Sequence, residues 1–134
     1  EHDCHLDGGV WANNPVLVGI TEAISRLGQK LENLAVLSVG TGSKRCTLPY
    51  VKAVRMGLAQ WARPSFDLIL GSQSRAADQE ARLLLPQGWY LRVDVDLGVP
   101  IDLDDYNASL PLVERGYQAG RSSWAAVSKL VLSA

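Results

Sequence analysis

LAVLSVGTGSK, residues 34–44, is the stretch on which the fold turns. Leu34 to Val39 is too short for a helix, continuously apolar but for Ser38, and closed by Gly40, which predicts a parallel strand buried on both faces. The loop Gly40-Thr41-Gly42-Ser43-Lys44 lacks the longer spacing of a phosphate-binding P-loop, so it reads as a strand-ending turn. In open α/β sheets, ligands gather at that end of the strands.

Working outward, Val16, Ile20, Ala23, Ile24 and Leu27 recur at spacings of three and four and predict a helix. Gly28 stands where a left-handed residue would end it. Asn13, Asn14 and Pro15 match its start, because asparagine caps free N–H groups and proline suits the first turn. Downstream, Val51, Val54, Leu58 and Trp61 keep helical spacing until Pro64, which predicts a second helix ending there. Residues 65–85 predict a third, exposed or broken at its polar middle, SQSRAADQE. Trp89 to Asp96 alternates Trp89, Leu91, Val93 and Val95 with Tyr90, Arg92, Asp94 and Asp96, the period of a strand with one buried face near a sheet edge. Residues 109–132 read as helix with a break near Gly116 to Gly120. Helices separating strands imply an α/β fold, with helices layered on a mostly parallel sheet.

At 134 residues and 47% hydrophobic content the chain is a single unit with ample apolar material for a core. Thirteen basic against fourteen acidic residues argue against nucleic acid as a partner and against a polybasic membrane patch. No run approaches the roughly 18 apolar residues of a membrane span. Cys4 and Cys46 are too few for a disulfide scaffold, which fits a cytoplasmic location. The chain opens at Glu1 in what reads as mid-domain sequence, so it is expected to be a piece of something longer.

HLDGGVWANNP, residues 5–15, places an acid before two glycines. Asp7 on a turn leaving a strand would be well placed for chemistry. Gly8 and Gly9 would let the backbone turn tightly and another segment come close to the carboxylate. Asp-Gly is also a common turn pair, so spacing alone leaves a purely structural role open.

DGGVWANNPV together with LSVGTG resembles the C-terminal half of the patatin-like phospholipase family, and the YLRV strand and IDLDDY segment match more loosely. The resemblance implies a lipid acyl hydrolase with a serine–aspartate dyad, acting on an acyl lipid or phospholipid and needing no cofactor, with Asp7 as the dyad aspartate, Gly8 and Gly9 supporting it, and transient contact with a membrane surface. A serine hydroxyl is a weak nucleophile until a positioned base takes its proton, and a carboxylate within hydrogen-bonding distance can be that base. Trp11, close to Asp7, is a candidate wall for an acyl-chain pocket.

The departure from the family is equally informative. The Gly-x-Ser-x-Gly nucleophile element and the glycine-rich oxyanion loop should precede the DGG motif, and only six residues do so here. GSQSR at 71–75 lacks the closing glycine and lies in a helical stretch. The expectation is a partial patatin-like domain over residues 1–134, inactive alone, that self-associates or requires its N-terminal half. The alternative is a non-catalytic interaction module with a degenerate patatin-like fold. His2, Asp3, Cys4 and His5 crowd next to Asp7, but adjacent ligands point to opposite sides of an extended chain and no second cluster follows, so no metal site is expected. In IDLDDYN, capping of the following helix by Asp104 or Asp105 accounts for the acids.

Overall fold

The computed structural model describes residues 7–43, 48–98, 101 and 105–133. Two parallel strands, β1 (Val36–Val39) and β2 (Tyr90–Val93), form a small sheet in the register Val36 to Tyr90 through Val39 to Val93. A parallel bridge between Ser43 and Asp96 extends the pairing beyond both strands. Before β1 come α1 (Gly8–Ala12) and α2 (Val16–Ser25), and between the strands α3 (Tyr50–Ala53) and α4 (Leu58–Leu84). After β2 comes α5 (Ser109–Ser133). The chain is therefore α/β, as the strand–helix–strand order predicts.

Alternation along the strands sorts side chains onto two faces. Val36 and Tyr90 face a core built from Val16 and Ile20 of α2 and from Ala81 and Leu85 at the end of α4. Each of these core pairs is separated by four residues, one helical turn, so α2 and α4 each present a stripe to the other. Leu37, Val39 and Val93 face the opposite way, toward Ala119, Trp124 and Val127 of α5, across an apolar cleft of about 260 Å³. The result is three layers, with the sheet in the middle.

Several sequence expectations are corrected. Pro64 does not end a helix. It is the seventh residue of a continuous 27-residue α4, and the polar middle of that helix is unbroken. A proline removes the bond to the carbonyl four residues back, here Gln60, which lies in the first turn, where the loss disturbs least. The helix expected before Pro64 is instead divided, with α3 ending at Ala53 and Gly57 capping α4 in extended conformation. Gln60 closes that start by accepting the Gly57 N–H at 3.0 Å. Gly116 and Gly120 lie inside an unbroken α5 and flank the cleft with open space above them. β1 is not buried on both faces: Leu37 is 42% and Val39 71% exposed, because the described elements cover that face only in part. β2 has both faces half-buried, since its polar side chains meet partners beneath the sheet.

Other readings hold. Gly28 has φ +64° just beyond α2. Asp105 accepts from the Asn107 N–H at 3.1 Å and caps the single turn that leads into α5, while Asp104 lies outside the described residues.

Candidate functional site

Asp7 caps α1. Its Oδ1 accepts the Gly9 N–H at 2.8 Å, and its carbonyl accepts the Val10 N–H at 3.0 Å. Gly8 and Gly9 are the first residues of that helix and neither has positive φ, so the tight turn expected of them is not what they supply. What they supply is room. A Cβ on Gly8 would meet nothing within 4 Å, and one on Gly9 would sit 3.4 Å from Asp7 Oδ1. The carboxylate is exposed, and among the described residues its one hydrogen bond is to Gly9. Of the roughly four lone-pair directions of a carboxylate, the described residues occupy one on Asp7.

Asn13 and Asn14 fix the element that carries Asp7. Asn13 Nδ2 donates to the Leu70 carbonyl at 3.3 Å, and Asn14 Nδ2 donates to the Ser74 carbonyl at 3.1 Å, one turn further along α4. Asn14 also accepts the Val16 N–H at 3.3 Å and is buried. Its capping role was legible in the sequence, whereas its grip on α4 depends on a contact sixty residues away. Trp11 sits on α1 at 73% exposure and does not line the cleft between the sheet and α5.

The Gly-Thr-Gly loop is built around a second acid, Asp94, which sequence reasoning passed over. Asp94 Oδ1 accepts the N–H groups of Gly42 at 3.0 Å and Val95 at 2.9 Å, while Oδ2 meets Arg92 Nη2 at 2.8 Å. Arg92 Nη1 in turn donates to Ser38 Oγ at 2.8 Å. Gly40 is required because a Cβ there would collide with the Asp94 carboxylate. Gly42 has φ +107° and lies against Leu97. This loop is therefore a clasp binding the ends of β1 and β2 together. The signal that could have revealed it is the Arg92–Asp94 pair, opposite charges two residues apart on one face of a strand.

A third carboxylate joins α4 to the sheet. Asp78 accepts from Tyr90 Oη at 2.6 Å and pairs with Arg82 Nε at 3.0 Å, and the Arg82 guanidinium stacks 5.0 Å from the Tyr90 ring centre. Burial pushes the Asp78 carboxyl up, but the hydrogen bonds from Tyr90 and Arg82 outweigh it and hold Asp78 below its ordinary value. Burial, reinforced by the bond to Asp78, raises Tyr90.

Among the described residues no group of three or more histidine, cysteine or acidic side chains could hold a metal ion, and His2, Asp3, Cys4 and His5 lie outside them. No helix among them is long and apolar enough to cross a membrane.

The chain is similar to patatin-like protein 4 of Arabidopsis thaliana, with 32% identity over 116 residues. The similarity covers 68% of this chain and 29% of the relative, so the chain spans less than a third of the relative's length. No family model matches the chain, and no solved structure matches it. The likeness is to a patatin-like protein and by itself gives the DGG and GTG segments no role.

Proposed function

We propose that the chain is the aspartate-bearing part of a patatin-like lipid acyl hydrolase, with Asp7 as the base of a serine–aspartate dyad whose serine is supplied from outside these 134 residues. The observation that carries the role of Asp7 is its exposed carboxylate, held at a helix start by one hydrogen bond among the described residues and followed by two residues without side chains. A serine hydroxyl placed against a free oxygen of Asp7 would lose its proton to it as the oxygen attacks an ester carbonyl. The protonated acid would then return that proton to the departing alcohol, and a water activated the same way would release the fatty acid. Gly8 and Gly9 allow the approach.

The substrate class this supports is an acyl lipid or phospholipid, and the chain by itself should not turn over. A 14.5 kDa monomer exposes roughly 6,900 Å², whereas this chain exposes 10464 Å². That excess supports association with another copy or with the remainder of a larger domain. It equally favours the second reading, a non-catalytic interaction module. The deciding experiment incubates the full protein containing this chain with a phospholipid and measures fatty acid and lysophospholipid. Release in equal amounts is expected. No release from any acyl ester by the folded protein would overturn the hydrolase reading in favour of the module.

A further inference from the structure

The near-zero net charge of the whole chain conceals a segregation. Between Asn33 and Phe66 stand five of the thirteen basic residues and none of the fourteen acidic ones. The corner where α3 leads into α4 lies inside this acid-free span and turns large apolar side chains to solvent. Tyr50 is 80% exposed and Leu58 92%, with Val51 and Val54 also exposed between them. Beside them runs an open groove of about 670 Å³ whose walls include Lys52, Arg55, Met56 and Pro64. Neither Lys52 nor Arg55 makes an ion pair among the described residues.

We propose that this α3–α4 corner is an interfacial docking surface for bilayers containing anionic phospholipid. Such an interface accepts both halves of the patch at once, since apolar side chains enter the acyl boundary while Lys52 and Arg55 stay at the level of the headgroup phosphates. A nucleic acid would reward the cations but offer no place for Leu58 and Val54. A protein partner would have to supply carboxylates for cations that otherwise become buried and unpaired. The proposal rests on the acyl-hydrolase reading for its purpose, which is to bring the protein to its lipid, but the binding itself is separable from hydrolysis.

The test is co-sedimentation of the full protein with vesicles of phosphatidylcholine alone or with about 30% phosphatidylserine, alongside hydrolysis of a soluble short-chain ester. The wild type should partition onto the anionic vesicles only and be released by salt. Lys52→Gln with Arg55→Gln should weaken that partition by about tenfold or more. Val54→Ser with Leu58→Ser should also weaken it. In both variants the circular dichroism spectrum and soluble-ester hydrolysis should stay unchanged. Equal partition onto neutral and anionic vesicles, or no effect of either pair, would overturn the surface. So would an apolar variant that changes oligomeric state while binding vesicles normally, which would make a second copy the occupant. Anionic binding by a folded protein that hydrolyses no ester would uphold the surface and overturn the hydrolase reading.

Discussion

Two acids in this chain keep company with glycines, and they are opposites. Asp94 is wrapped: two backbone N–H groups and the Arg92 guanidinium occupy it, and Gly40 is shaped to admit it. Asp7 is bare. Among the described residues its one bond is to Gly9, and the space beside Gly8 is open. A carboxylate with three of its roughly four lone-pair directions taken, two by backbone and one by a guanidinium, serves as a structural tie, whereas an acid anchored on one side keeps a basic face for a substrate hydroxyl. Glycine next to an acid is thus ambiguous in sequence. What decides its meaning is whether the room is already filled.

The largest effect on stability is expected at the wrapped acid. Asp94→Ala strips two N–H groups of their acceptor and leaves Arg92, only 15% exposed, without its partner, which should cost about 3 kcal/mol by chemical denaturation. Gly40→Ala attacks the same clasp from the other side by forcing the carboxylate out, at about 2 kcal/mol. Because both changes break one unit, the double variant should be less destabilised than the two single losses combined. Full additivity would show that the clasp is not one unit.

A smaller loss is expected where α1 and α2 are held to α4. Asn14→Ala removes a buried donor and the acceptor for the Val16 N–H, and should cost about 1 to 2 kcal/mol while leaving the Asp94 clasp intact. The smallest effect involves Asp78. Its lowered pKa means its contribution is complete above the ordinary value of 3.8 and is lost as pH falls through the lower folded value. Raised Tyr90 works in the other direction, contributing fully below 10.0 and losing its contribution as pH rises through the higher folded value. Melting temperature against pH should therefore show an alkaline decline above pH 10 that is reduced in Tyr90→Phe. An unchanged alkaline limb would remove Tyr90 as its source.

How much of this was legible follows the range of the interactions. Gly28, a strand ending at Val39 and a cap from Asp104 or Asp105 announce themselves because each is decided within a few residues, although the strand begins at Val36 and not at Leu34. Pro64 misled because its cost depends on where the helix begins, and that is set by Gly57 and Gln60 in a turn the apolar spacing runs straight through. Gly116 and Gly120 misled because a long helix laid across a sheet carries two weak positions without breaking. Asp94 was hidden for a different reason: the three groups that bind it lie at the C-terminal ends of both strands, and only the register of β1 on β2 brings Gly42 to it. Asp7 was visible because its distinguishing property, an acid with small neighbours, is local.

The comparison is tested most directly by measuring ester hydrolysis and thermal melting together for Asp7→Asn in the full protein. Asparagine keeps the shape and the cap but cannot accept the proton, so the rate on a p-nitrophenyl ester should fall by about two orders of magnitude or more, with the melting temperature unchanged. A rate within a few-fold of wild type in a protein that melts normally would contradict the assignment of Asp7 as the base.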